Sequence, residues 1–272
     1  HTIKIDFIVP QGWHELTDAQ LRYLYNLISL ELTTEEIAVT CLLHWSGTRV
    51  IGRQPDGAYL LQQGMTNRAS RKQRELAQPM LRRSRLTGKV TLFEVKPLAI
   101  AELIKEIDWL GQLPTYPVRL SAIRKATAVA ADFQGVPFET FIVCDNLYQG
   151  YLQTQREEML DELAATLYGR KLKLTAAERI SIFYWMASLK EYFSHRFSDF
   201  FQPIAGEQDS NLLGSPNLGA KLQEAMDSQI RALTKGDITK EREILALDTW
   251  RALTELNAQA REYKQLQSQL KK

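Results

Sequence analysis

The residues that most often catalyse reactions or bind metals are few in this chain and widely spaced. Histidine occurs only at positions 1, 14, 44 and 195; no two histidines lie three to five residues apart, and Cys41, three residues before His44, is the only cysteine at that spacing. That spacing places two ligands on one helix face, but a zinc site needs three or four protein ligands, and no further histidine or cysteine lies near this pair in the sequence. The pattern therefore argues against a zinc site. Gly88-Lys89 is not part of a phosphate-binding loop, because Arg83 and Val90 stand where a glycine and a Ser or Thr are needed. We therefore expect no metal and no cofactor.

Other side chains suited to acid-base or nucleophilic chemistry have simpler structural explanations. The acidic pairs Glu157-Glu158 and Asp161-Glu162 are typical of the solvated face of an amphipathic helix. Cys144 follows an aromatic and two aliphatic residues, which predicts a small buried hydrophobic side chain. His195 lies among aromatic residues, at a predicted boundary between core and solvent. The sequence thus predicts no catalytic residue and a protein that is not an enzyme.

One segment has an unusual charge. Residues 68–89, the basic segment, contain eight basic residues and one acidic residue, a net charge of +7, whereas the rest of the chain has 26 basic and 31 acidic residues. Its basic residues are Arg68, Arg71, Lys72, Arg74, Arg82, Arg83, Arg85 and Lys89. Such a segment neutralises nucleic-acid phosphates, docks on an acidic protein surface, or is a solvated insertion between strands. It has no aromatic residue, which disfavours base stacking.

Composition places the chain among globular proteins. It has 272 residues, of which 44% are hydrophobic and 24% are charged, and this excludes disorder throughout. The longest apolar run is the six residues of Ile182–Ala187, against roughly 20 for a membrane span, so we expect no membrane association. Residues 1–6 lack the apolar stretch of a secretory signal. The two cysteines are 103 positions apart, which predicts a reducing environment.

The elements that position these residues form a predominantly helical α+β fold. Alternating or β-rich runs and a Pro-Asp-Gly turn predict an N-terminal β element. The predicted strands lie near residues 2–9, 48–53, 58–62 and 89–95. Thr17 and Thr33, each followed three residues later by Gln or Glu, predict helices over about 18–31 and from 34 to Trp45. Residues 1–96 are therefore interpreted as an α+β region that contains the basic segment.

The rest of the chain is predicted to be helical. A helix begins near Pro97, and the capping box from Thr175 to Glu178 begins the central helix of a core region over 97–205. Residues 206–219 are rich in Gly, Asn and Ser and predict a flexible linker. The C-terminal region, 220–272, has no Gly or Pro beyond Thr239, which predicts a continuous helix over 239–270.

Apolar residues on that last helix follow the narrow spacing of a helix-pairing seam. The seam consists of Leu253, Leu256, Ala260, Tyr263 and Leu270. It either docks on its own domain or pairs with another subunit, as a homo-oligomer or a heteromeric contact.

Three runs of sequence resemble uncharacterised prophage and mobile-element proteins encoded in gene clusters for tail structure and assembly. They are residues 11–17 (QGWHELT), 145–152 (DNLYQGYL) and 232–241 (ALTKGDITKE). The resemblance implies a virion component or an assembly chaperone that binds other phage-type structural proteins or itself. It also implies a location in the cytoplasm during assembly or in the virion. The alternatives are a nucleic-acid-binding accessory protein that uses the basic segment, and an enzyme whose residues converge only in three dimensions.

Overall fold

The computed structural model describes residues 7, 9–63, 91–201, 228, 230–234 and 237–270. Over these residues the chain is mainly helical with small antiparallel sheets, which confirms the predicted α+β class. The chain divides into two compact units, His1–Pro114 and Thr115–Lys272. The basic segment and the predicted linker at 206–219 lie outside the described residues.

The first unit combines helices with a three-stranded sheet. A 3₁₀ turn at Trp13–Glu15 comes first, and a second one at Asp108–Gly111 comes last. Between them lie α1 (Asp18–Ile28), α2 (Thr34–Trp45), β1 (Thr48–Arg53), β2 (Tyr59–Gln63), β3 (Thr91–Val95) and α3 (Pro97–Lys105).

Reciprocal side-chain caps fix the beginnings of α1 and α2. Thr17 accepts a hydrogen bond from the N–H of Gln20, whose side chain accepts from the Thr17 N–H, and Thr33 and Glu36 make the same pair of bonds. Each box satisfies two of the N–H groups that a helix start leaves without partners. The predicted starts are confirmed, while α1 ends at Ile28 rather than residue 31.

The sheet is antiparallel in the order β1-β2-β3. The turn between β1 and β2 includes Gly57 at φ 87 and an Asp56 carboxylate that accepts from the N–H of Ala58. Leu61 in the central strand is fully buried. The hairpin predicted over 48–53 and 58–62 is confirmed to within one residue.

Two other predicted strands fall partly outside the described residues. Of the strand near 2–9, only Phe7 and Val9 are described, and both pack against a buried cluster of Ala38, Leu42 and Ile107. The strand near 89–95 is described from Thr91 onward as β3.

The first unit ends at Pro114, beyond the boundary expected after residue 96. The reason is that Leu103 and Ile104 of α3, followed by Ile107, pack on the buried residues of α2. The helix predicted to begin near Pro97 is present as α3, which ends at Lys105, and a 3₁₀ turn follows at Asp108.

The second unit is a helical body with one small hairpin. Its elements are β4 (Ala122–Ile123), β5 (Ala126–Thr127), α4 (Phe138–Thr154), α5 (Glu157–Tyr168), α6 (Ala176–Arg196), α7 (Ser198–Phe201), a 3₁₀ turn at Ile238–Lys240, α8 (Glu241–Leu245) and α9 (Thr249–Leu270). Residues 230–234 are also helical.

Helix α6 runs through the core of the second unit. Its predicted capping box is present, and Ile182, Trp185, Met186, Leu189 and Phe193 are all fully buried. Helix α6 ends at Arg196, and a separate short helix, α7, begins at Ser198.

The single C-terminal helix predicted over 239–270 was wrong. Residues 246–248 break it into α8 and α9, although the segment has no Gly or Pro. Here the backbone turns to pair with residues 135–138. The N–H of Phe138 donates to Leu247 O at 2.8 Å, the N–H of Thr249 donates to Val136 O at 2.9 Å, and Asp248 forms a β-bridge with Pro137. Tertiary hydrogen bonds therefore end the helix where local propensity would continue it.

Candidate functional site

The predicted seam on α9 is divided between a docked half and an exposed half. Leu253 and Leu256 are buried, and Ala260 is half-buried. By contrast, Tyr263 is 52% exposed and Leu270 is 87% exposed. The first three turns of α9 therefore dock on their own unit, and the last two leave apolar side chains in solvent.

Polar contacts hold the middle of α9 against α7. The Asn257 side-chain oxygen accepts from the N–H of Phe200 at 3.0 Å. Asp199 receives a 2.8 Å hydrogen bond from Arg261 Nε and lies 3.7 Å from Lys264 Nζ. The Arg261 hydrogen bond lowers the pKa of the Asp199 carboxyl, with a further contribution from Lys264. Docking therefore extends to Lys264 on one side of the helix.

Beyond these contacts, the apolar stripe continues without a described partner. Tyr263, Leu266 and Leu270 follow at spacings of three and four, so they lie along one face. Leu266 is 59% exposed, and the Tyr263 hydroxyl accepts a hydrogen bond from Gln267 on the next turn. The exposed face continues the stripe that Leu253 and Leu256 begin.

The eight predicted contact residues of the basic segment lie outside the described residues, but the strands that flank the segment are described. β2 ends at Gln63 and β3 begins at Thr91, and these two residues are register partners in the sheet. The connection of residues 64–90, which contains the basic segment, therefore begins and ends at neighbouring positions of the sheet.

The side chains considered for nucleophilic or proton-transfer roles occupy ordinary structural environments. Cys144 is fully buried, and burial raises the pKa of its thiol far above the range of a reactive cysteine. Burial likewise raises the pKa of Cys41 to about 12. His195 is exposed, and its Nε2 lies 2.9 Å from the Glu191 carboxylate one turn earlier.

The acidic pairs of α5 form ion pairs on the helix surface. Arg179 of α6 binds Asp161 through Nε at 2.8 Å and Glu157 through Nη1 at 3.0 Å. Glu158 lies 3.5 Å from Arg156, and Glu162 lies 3.4 Å from Lys171. These carboxylates therefore link α5 to its neighbours.

A cavity of about 580 Å³ lies beside α8. Its lining consists of Glu139, Thr239, Glu241, Arg242, Leu245 and Ala246. The charged groups in this lining belong to exposed residues. They lack the desolvated surroundings that adapt carboxylates to general acid or base catalysis.

Two kinds of site are absent from the part of the chain that the structure describes. No group of three or more His, Cys, Asp or Glu side chains there is arranged to hold a metal ion. Nor does any helix in those ranges combine the length and apolar composition that a bilayer crossing needs.

The fold also assembles a cationic patch that sequence inspection missed. It comprises Arg124 and Lys125 at the tip of the β4–β5 hairpin, and Arg170, Lys171 and Lys173 in the loop between α5 and α6. All five are exposed. The loops adjoin, because the Arg170 guanidinium donates a 3.4 Å hydrogen bond to Arg124 O.

The tip of this hairpin has an unusual backbone for its residues. Ile123 pairs with Ala126, leaving a two-residue turn in which Arg124 has φ 46 and Lys125 has φ 68. Positive φ at both positions is the mark of a type I′ turn, which favours Asn-Gly. A left-handed conformation costs an L-residue roughly 1–2 kcal/mol. The two cations therefore occupy a strained turn.

The cationic patch escaped sequence analysis because its members come from two stretches about fifty residues apart. Neither Arg124-Lys125 nor Arg170-Lys171 is a long charge run. One sequence signal could have indicated them: residues 109–131 and 163–177 contain no acidic residue. Only the fold shows that the two stretches meet.

No family model, no curated protein and no solved structure matches this chain.

Proposed function

We propose that the chain is a non-enzymatic, phage-type structural or assembly protein that acts through protein–protein contacts in a tail or virion. The observation that carries the proposal is the exposed end of α9, where Tyr263, Leu266 and Leu270 continue a stripe that is buried earlier in the same helix. Sequence resemblance to tail-cluster proteins supports the biological setting. The protein would work in the cytoplasm during assembly or as part of the virion.

A groove on another protein is the partner that fits this end best. From Tyr263 to Leu270 the stripe covers about two helical turns, or roughly 12 Å. Heptad pairing of two free helices requires three to four heptads, and a stable interface buries about 800 Å² per partner. Two such short stripes packed on each other would bury too little. An apolar groove that surrounds the helix buries more of each side chain.

The test is a matched pair of double variants in the full chain. Leu266→Glu with Leu270→Glu places two charges on the apolar stripe, while Gln265→Glu with Ser268→Glu adds the same charge at exposed positions on the side of the helix away from the stripe. Binding to purified head and tail proteins from the same gene cluster is measured by calorimetry and by size exclusion with light scattering. The stripe variant is expected to bind about 100-fold more weakly, with the control unchanged.

The measured mass distinguishes a second copy of the chain from a cluster protein as the partner. A dimer mass that the stripe variant abolishes would support a protein contact and identify a second copy as the partner. If the wild-type chain binds no cluster protein and remains a monomer, the proposal is wrong.

The second candidate is a nucleic-acid-binding accessory protein that uses the basic segment. It is favoured by the net charge of +7 within 68–89 and by the insertion of that segment between the paired residues Gln63 and Thr91. Replacing Arg82, Arg83 and Arg85 by alanine is expected to weaken duplex binding and its salt dependence. Unchanged binding by this triple variant would contradict a role for the segment.

A further inference from the structure

We propose that the cationic patch of the second unit, Arg124, Lys125, Arg170, Lys171 and Lys173, binds the phosphodiester backbone of nucleic acid without reading bases. The proposal does not depend on the assembly function, and it does not involve the basic segment. Three observations support it: the cations are mostly unneutralised, the surface around them has no strongly exposed large apolar residue, and the hairpin that bears two of them is ordered.

The charges of the cationic patch are mostly unneutralised. Lys171 is 3.4 Å from Glu162, but both side chains are largely exposed, and Arg124, Lys125 and Lys173 make no ion pair with any other described residue. Solvent and salt screen an exposed pair of this kind. The patch therefore presents several cations at once, as phosphate contacts require.

The surface around these cations resembles a phosphate-binding surface more than a protein interface. None of the strongly exposed large apolar residues of the described chain falls within 119–129 or 167–175. Protein interfaces need a buried apolar or aromatic centre. Backbone contacts to nucleic acid need cations and hydrogen-bond donors, and Thr127 adds an exposed hydroxyl beside the hairpin tip.

Hydrogen bonds fix the hairpin to the end of α5. The buried Tyr168 hydroxyl donates to Leu120 O at 2.7 Å, and the N–H of Val129 donates to Leu167 O at 3.0 Å. The cations at the tip therefore stand on a backbone that is already ordered. Binding would then order mainly the side chains, which limits its entropic cost.

A purely structural role explains only part of the cationic patch. Arg170 and Lys171 follow the last residue of α5 and complement the negative end of its dipole. That reason does not extend to Arg124 and Lys125, which belong to another element and stand in a turn that Asn-Gly would occupy with less strain. The hairpin pair is therefore the part to test.

Replacing Arg124 by Asn and Lys125 by Gly removes two charges and supplies the preferred type I′ sequence, so the variant is expected to fold at least as well. Anisotropy of labelled 20-base-pair DNA and RNA duplexes measures binding by the full chain between 50 and 200 mM salt. The slope of log K against log salt is expected to fall by about 2 in the variant, and affinity at 50 mM salt by at least about tenfold.

Two control variants distinguish the cationic patch from other basic residues of the chain. Arg156→Gln with Arg251→Gln removes the same charge from exposed positions outside the cationic patch and is expected to bind nearly as wild type. The triple alanine variant at 82, 83 and 85 should retain the part of the slope that the hairpin supplies. The proposal is overturned if the Asn-Gly variant keeps the wild-type slope, if the charge control loses as much, or if no duplex binds at 50 mM salt. It is equally overturned if the chain binds polyglutamate but not the duplexes, since the patch would then recognise an acidic protein surface.

Discussion

Replacing Asp248 by alanine removes two hydrogen bonds at the beginning of α9, one within the helix and one to the segment before α4. Asp248 Oδ2 accepts from the N–H of Gly135 at 2.6 Å, and Oδ1 accepts from the N–H of Arg251 at 3.2 Å. The second bond caps the first turn of α9. The variant therefore loses a helix cap and a link across more than a hundred residues of sequence.

The cost follows from these two contacts. Loss of a cap costs about 0.5–2 kcal/mol, and a hydrogen bond to a charged group contributes about 1.5–3 kcal/mol. Gly135 is exposed, so water replaces part of the second bond. A total of about 2 kcal/mol lowers the melting temperature by roughly 4–8 °C for a unit of this size. It also raises local opening about 30-fold.

Amide hydrogen exchange followed by mass spectrometry measures that opening directly. The N–H groups of Thr249 and Phe138 donate to Val136 O and Leu247 O across the break. Peptides that contain these two amides are expected to exchange about 30-fold faster in the alanine variant, and peptides of the first unit are expected to stay unchanged. Asp248→Asn retains one side-chain oxygen as an acceptor and should show a smaller effect. Exchange within threefold of wild type, with an unchanged melting temperature, would refute a stabilising role for Asp248.

Three further outcomes are expected. Cys41 and Cys144 are buried with raised thiol pKa values, so neither should react with a thiol reagent at pH 8 until the chain unfolds, and rapid labelling of the native protein would contradict this. The pKa of Asp199 is lowered chiefly by the hydrogen bond from Arg261, so that contact stabilises the fold above the ordinary carboxyl pKa and is lost as pH falls through the lowered one. Carbon-detected NMR should show the Asp199 titration move upward in Arg261→Gln; an unmoved titration would contradict the pairing. Gly169 ends α5 at φ 69 with no atom within 4 Å of an added Cβ, so Gly169→Ala should cost only backbone strain, about 1 kcal/mol in urea unfolding, and Gly169→Asn should cost less.

Features that depend on neighbours in sequence were predictable. The capping boxes that begin at Thr17, Thr33 and Thr175 each involve two residues three positions apart, and all three are present. The Pro-Asp-Gly turn fixed the hairpin of β1 and β2 for the same reason. In each case the hydrogen-bond partners lie within one turn of chain, so the local sequence contains all the information.

The break before α9 was not predictable because its cause lies far away in sequence. Residues 239–270 have helical spacing and no Gly or Pro, and the one local signal at the break is Asp248, whose side chain caps α9. The stop comes from the backbone of Val136 and Phe138 and from the N–H of Gly135. A sequence pattern indicates which residues favour a helix, but not which distant carbonyl competes for an N–H.

The local grouping of charged residues was also not predictable from the sequence, and it bears on function. Outside the basic segment the chain has 26 basic and 31 acidic residues, which alone predicts a surface of negative or neutral character. The fold nevertheless gathers Arg124 and Lys125 beside Arg170, Lys171 and Lys173, with Glu162 as the carboxylate paired to this group. Electrostatic attraction decays over about 10 Å in ordinary salt, so an approaching polyanion responds to this local group and not to the net charge. The described part of the chain can therefore bear a positive surface although the residues outside the basic segment are acidic in total.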